Sequence, residues 1–274
     1  MDLVYDYLNN TWTGDTAGNI ANGEDDGSSS YDDDDGKVWF NITDNTHGLI
    51  LHGNSKVELS GTNLWSDAAT VLFQYNNSEI SMTNGSSAGF EMVYSWDGGD
   101  LSLASSLFQV DGIAVLLSDD LSITGNSRLG WNNTFNLVAT TFTMDNSTLG
   151  STSKSSPDEE IWANVTTEVS VRYSYFNVSY IFFTSRNTEL FGVDYDIGLL
   201  NFSATNLMYL NSTTLDSDDI ILSAGNLRSR DSTIENFEIT ATKVYLYQSI
   251  LQSSSSNIQI IANDLKIIES SIAT

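Results

Sequence analysis

The stretch IQIIANDLKIIESSI, residues 258–272, decides the fold. Ile258 and Ile260 stand two apart and lead to a small residue, Ala262; Leu265 and Ile267 follow, and Ser270 stands two places before Ile272. Apolar side chains two apart turn one face of a strand toward a core. The line apolar-x-apolar-x-Ala-x-x-apolar also begins at Leu200, Ile220 and Phe237.

Working outward, the pattern extends back to about residue 47. Anchored on the first apolar residue after the small one, copies fall at Val57, Ile80, Leu101, Leu121, Phe142, Val169, Leu190, Leu207, Leu227, Val244 and Leu265. They lie roughly twenty residues apart, the scale of a solenoid repeat. Three places before each anchor the residue is small or Asn, and seven places before it is apolar, from Ile50 through Trp162 to Ile258. A hydroxyl column (Thr62, Ser105, Ser127, Ser147, Ser174, Thr213, Ser232, Ser249, Ser270) stands two before a further apolar residue.

Strands this short, separated by turns of a few residues, bury little by themselves. Stacked on its neighbour, each pairs in parallel with its equivalent one copy later, about 4.8 Å away. The expectation is an all-β, single-stranded parallel β-helix of about eleven coils, a rod roughly 50 Å long at that spacing. The small column marks a corner, and Asn suits corners because it tolerates left-handed backbone. Helices are disfavoured by the β-branched and hydroxyl-rich composition. The Leu-x-x-Leu-x-Leu-x-x-Asn line of a leucine-rich repeat is missing.

Residues 1–46 do not fit the repeat and are expected to form an irregular arm or cap, with strands near Leu3–Leu8 and Lys37–Ile42. Residues 47–274 form the solenoid, with a loop excursion at 150–160 that carries the single proline, Pro157. Within the arm, Asp32, Asp33, Asp34 and Asp35 are candidate Ca²⁺ ligands, since clustered carboxylates are hard-oxygen donors. The competing interpretation is a solvated acidic loop. It is no EF-hand, because Tyr31 stands where the first Asp belongs.

These residue classes resemble the right-handed parallel β-helix superfamily, the pectin-lyase-like and filamentous-haemagglutinin-like proteins, over roughly Gly48 to Thr274. The resemblance implies a fold and a set of roles: polysaccharide lyases and hydrolases, viral tailspikes, adhesins and surface-layer components. The catalytic patterns of such enzymes are poorly matched. Asp119-Asp120 and Asp218-Asp219 lie too far apart to share a site, Thr46-His47-Gly48 replaces Gly-His-Gly, and no Arg-x-Lys follows. Arg228 and Arg230 near Asp216, Asp218 and Asp231 suit surface ion pairs. Whether the chain is an enzyme stays open at this stage, with catalysis the less supported side.

Charge narrows the partners. Ten Lys+Arg against 36 Asp+Glu give a net charge of −26, which repels nucleic acid and anionic lipid. It suits basic partners, divalent cations or a saline habitat such as an archaeal surface. There is no cysteine, hence no disulfide framework or thiolate metal site. No apolar run is long enough to span a bilayer as a helix.

Asn-x-Ser/Thr sequons add a modification. Asn76, Asn84, Asn132, Asn146, Asn177, Asn201 and Asn211 are expected on the surface or in turns and able to carry glycan. Asn164, placed on an inward column, is expected bare. Leu117, Val138 and Val165 are expected to share one outward column and Phe191, Met208 and Tyr245 another, marking an assembly contact. The repeat also runs to Ile272, which leaves an open last coil: either the chain continues in the native gene or something pairs with this end, head-to-tail stacking of identical rods being one such pairing. Together these point to a non-enzymatic extracellular or cell-surface protein, a self-assembling, N-glycosylated subunit of a filament, sheath or surface layer, stacked head to tail. It needs no cofactor beyond the candidate Ca²⁺. The alternatives are a polysaccharide-binding or -cleaving β-helix, on a virion or as a lyase, and an adhesin.

Overall fold

A computed structural model describes residues 4–6, 11–13, 38–43, 46–51, 56–61, 63–64, 70–75, 78–96, 99–111, 114–132, 134–150, 159–253 and 259–273. The chain is an all-β parallel solenoid, and no helix occurs among the described residues. It winds about nine turns. The anchor pattern implies eleven coils, slightly more.

Three strand walls enclose one apolar core. The first wall runs through Thr70–Tyr75 and Met92–Trp96, the second through Glu79–Thr83 and Asp100–Ala104, the third through Ser87–Phe90, Leu107–Val110 and Arg128–Trp131. From Ala114–Thr124 onward the first two walls join in a continuous strand. Two consecutive exposed residues, Asp119 and Asp120, mark the bend between them. Most positions in a buried column repeat one residue class. Ala204, Ala224, Ala241 and Ala262 are register partners in turn, so the alanines stack as expected at the corner.

The anchor column passes through Val57, Ile80, Leu101, Leu121, Phe142, Val169, Thr188, Met208, Leu227, Val244 and Leu265. Two expected members are therefore replaced: Thr188 stands for Leu190 and Met208 for Leu207. Thr188 is buried because its hydroxyl meets Ser185 Oγ at 2.7 Å inside the core. Met208 enters because the Thr205–Leu207 bend holds one residue more than its neighbours, where the register shifts. A similar extra residue lies at Thr166–Glu168. A bulge of one residue turns every preceding side chain to the opposite face. Hence Ile161, Ala163 and Val165 point inward, while Trp162, Asn164 and Thr166 point out.

The hydroxyl column is a hydrogen-bonded ladder. The backbone N–H groups of Ser106, Ser127, Ser147, Thr213 and Ser249 donate to the hydroxyls of Ser127, Ser147, Ser174, Ser232 and Ser270 one turn on, at 2.9 to 3.2 Å. Most of these hydroxyls donate in turn to the carbonyl two residues earlier, as Ser147 does to Asp145 at 2.8 Å. Ser106 takes the place expected for Ser105, and Phe108 accordingly packs inside in place of Leu107. One rung is apolar: Val193, whose carbonyl accepts the Thr214 N–H as its hydroxyl-bearing equivalents do, is buried in the column.

Before each rung the chain turns through a left-handed residue: Ser105, Asn126, Asn146, Tyr173, Gly192, Ser212, Asp231, Gln248 and Glu269, with φ between 47° and 69°. The N–H of Asn146 donates to Arg172 O and that of Tyr173 to Phe191 O, each 2.9 Å, so the strained corner is tied to the next turn. A non-glycine residue at such a φ persists only when its surroundings fix it.

At the N-terminal end Val4–Asp6 pairs antiparallel with Thr11–Thr13, and Val38–Thr43 pairs antiparallel with Thr46–Leu51. The other edge of Thr46–Leu51 joins the parallel wall through Thr70–Tyr75. The acidic segment Asp32–Asp35, Asn76 and Pro157 lie outside the described residues.

Candidate functional site

The first wall presents two adjacent outward columns. One runs Asn136, Trp162, Phe182, Asn201; the other Val138, Asn164, Thr184, Ser203. Cross-strand pairs on one face touch, and here Trp162 and Phe182 stack with ring centroids 3.9 Å apart and planes 8° from parallel. Trp162 Nε1 donates to Glu160 Oε2 at 2.8 Å, which fixes the indole upright. Trp162 is 43% exposed and Val138 42%. Beside the rings runs an open groove of about 480 Å³, lined mainly by Val138, Trp162, Phe182 and the amides of Asn136, Asn164 and Asn201.

The sequence places Trp162 inside, so this groove is not visible there. Its only early sign is that an Ala and a Val flank Trp and Asn in Trp162-Ala163-Asn164-Val165. The inward placement of Asn164 is corrected: it is exposed, and its Oδ1 accepts from Thr184 Oγ1 at 3.0 Å.

The expected assembly residues scatter. Leu117 and Val138 do share an outward column, Leu117 half-buried. Val165 and Met208 do not: both are core residues, 1% and 0% exposed, because of the bulges at Thr166–Glu168 and Thr205–Leu207. Phe191 is half-buried and meets Tyr173 edge-on at 5.0 Å. Tyr245 stands in a different outward column, between Arg228 and Lys266.

The sequon residues differ in freedom. Asn84 and Asn146 are exposed at left-handed corners. Asn84 Nδ2 donates to Ser60 Oγ at 2.8 Å and Asn132 Nδ2 to Asp111 Oδ1 at 3.2 Å. Asn177, Asn201 and Asn211 are half-buried, and Asn211 ends a strand where a turn was expected.

Among the described residues no three His, Cys, Asp or Glu side chains gather into a metal-binding group. Carboxylates do line the second wall. Asp100 stands between Glu79 and Asp120, accepts the Asp120 N–H at 2.9 Å, and burial with these like charges raises its pKa above the usual carboxylate range. Arg230 pairs with Asp231 at 3.2 Å and lies 5.6 Å over the Tyr247 ring, while Arg172 pairs with Glu189 at 3.0 Å. These are exposed contacts of small energetic weight.

The architecture defines the class: a parallel β-solenoid with an aromatic groove on one outer wall. No protein-family model matches the chain, and no curated protein or solved structure does either.

Proposed function

We propose that the chain is a non-enzymatic structural protein of the cell exterior, a β-solenoid subunit that assembles with copies of itself and carries N-linked glycans. Its support is an exposed aromatic patch at the corner before the third wall: Tyr173 and Tyr175 are 60% and 46% exposed, and Phe191 lies edge-on against Tyr173 at 5.0 Å. Such exposed apolar surface marks a contact with another molecule. A self-complementary contact through it would make a closed pair, a head-to-tail contact an open filament.

Sedimentation over a dilution series tests the assembly. Concentration-dependent dimers or larger species, abolished by Tyr175→Lys, are expected; a strict monomer at every concentration would overturn the proposal. Intact-mass measurement of the native protein tests the glycans, and an unmodified mass would remove that part.

A further inference from the structure

We propose that Asn164 is itself an N-glycan attachment site and that the first sugar of its glycan lies in the Trp162–Phe182 groove; this rests on the glycoprotein proposal above. Trp162, Asn164 and Thr166 alternate with buried Ala163 and Val165, so all three emerge on one exposed face, about 7 Å apart at strand spacing. Asn164-Val165-Thr166 is a complete sequon. Thr184 Oγ1 holds the carboxamide oxygen at 3.0 Å, and among the described residues the nitrogen that would bear the sugar makes no hydrogen bond. By contrast the Asn84 and Asn132 nitrogens are engaged by Ser60 and Asp111.

The groove matches a pyranose more closely than a protein side chain or an anion. A sugar ring offers an apolar C–H face and a rim of hydroxyls. The Trp162 face turned away from Phe182, toward its register partner Asn136, supplies the flat apolar surface, and Asn136 and Thr184 supply donors and acceptors around it. A binding face of one ordered aromatic stack with a few polar groups is what small-ligand sites use. The tether selects the occupant: a ring attached to Asn164 is held beside the groove by the chain's own covalent bond, at high effective concentration.

The test expresses the full chain behind a secretion signal in a host that N-glycosylates, followed by glycopeptide mass spectrometry and timed endoglycosidase release. Asn164 is expected to be occupied, and Thr166→Ala to remove that glycan alone. Release at Asn164 is expected to be roughly two- to tenfold slower than at the open corner residue Asn146, the range of one aromatic face contact. Trp162→Ala should erase the difference; if that variant is secreted poorly, Trp162→Leu, which keeps apolar bulk without a ring face, serves instead. A bare Asn164 beside a glycosylated Asn146 overturns the inference and leaves the glycoprotein proposal standing. Glycan at no sequon overturns both. Equal release rates before and after the Trp162 change overturn the assignment of the groove.

Discussion

The backbone N–H of Ser127 donates to Ser147 Oγ at 3.2 Å, one full turn further along the chain. Ser147 is 6% exposed, and its hydroxyl is spent on Asp145 O at 2.8 Å and on this N–H. Deleting it strands a buried donor, which costs about 1–3 kcal/mol. Ser147→Ala should therefore lower the urea midpoint by that amount with an unchanged slope. Ser147→Thr should recover most of it, since Thr213 fills an equivalent rung. An unchanged midpoint in the alanine variant would remove the ladder as a stabilising element.

Tyr195 presents the opposite case. Its ring packs edge-on against Phe176 at 4.8 Å, fully buried, and among the described residues its hydroxyl has no hydrogen-bond partner. Burial alone pushes its pKa well above the ordinary phenol value. Tyr195→Phe removes the unsatisfied group and keeps the ring, so the variant should be as stable as the parent or more so, by up to about 2 kcal/mol. A loss of stability in thermal unfolding would mean the hydroxyl is bonded after all.

The bulge at Thr166–Glu168 makes a sharp prediction about neighbours. Val165→Asp puts a carboxylate into the core and should cost more than about 3 kcal/mol. Asn164→Asp, one residue away and exposed, should change stability by less than about 0.5 kcal/mol. The reverse order in denaturant unfolding would restore the register in which Asn164 points inward.

The placement of that bulge also shows where the sequence is informative. The four-alanine column and the apolar pairs around it are plain from Leu200 onward, because consecutive copies there match residue for residue and the physics of stacking needs nothing else. The corner of the Glu160–Arg172 strand is one residue longer, and no residue type announces it: Thr166, Thr167 and Glu168 are all ordinary solvent residues. Thr188 was hidden for another reason, since its hydroxyl is satisfied locally by Ser185 and so needs no apolar side chain. The left-handed corners escape because Tyr173 and Gln248 are held there by hydrogen bonds to the next turn and not by their own preference. With the bulge misplaced, the Trp162–Phe182 groove vanishes from view, although both residues are conspicuous in the sequence.

Acidity should set the response to pH and salt. The Asp100 pKa is raised in the folded chain, so the folded state binds its proton more tightly than the unfolded state does. Stability contributed through this group therefore rises as pH falls from its folded pKa toward the ordinary carboxylate value, and it falls as pH rises through that window. Asp100→Asn should flatten this part of the melting-temperature profile. Added salt should raise the melting temperature of the parent, because screening relieves repulsion in a chain of net charge −26. A melting temperature independent of salt would show that the charges are already compensated.

The solenoid requires equivalent residues to lie one turn apart in register, and the cysteine-free chain allows a clean measurement of that. Ser203 and Ser223 are outward register partners, and Thr240 stands one turn beyond Ser223. Neighbouring strands lie about 4.8 Å apart, within the roughly 4.4–6.8 Å Cα range of a disulfide. Under mild oxidation the pair Ser203→Cys and Ser223→Cys should close an intramolecular disulfide in the folded monomer, while Ser203→Cys with Thr240→Cys should not. Failure of the first pair, or closure of the second in its place, would contradict the stacked solenoid.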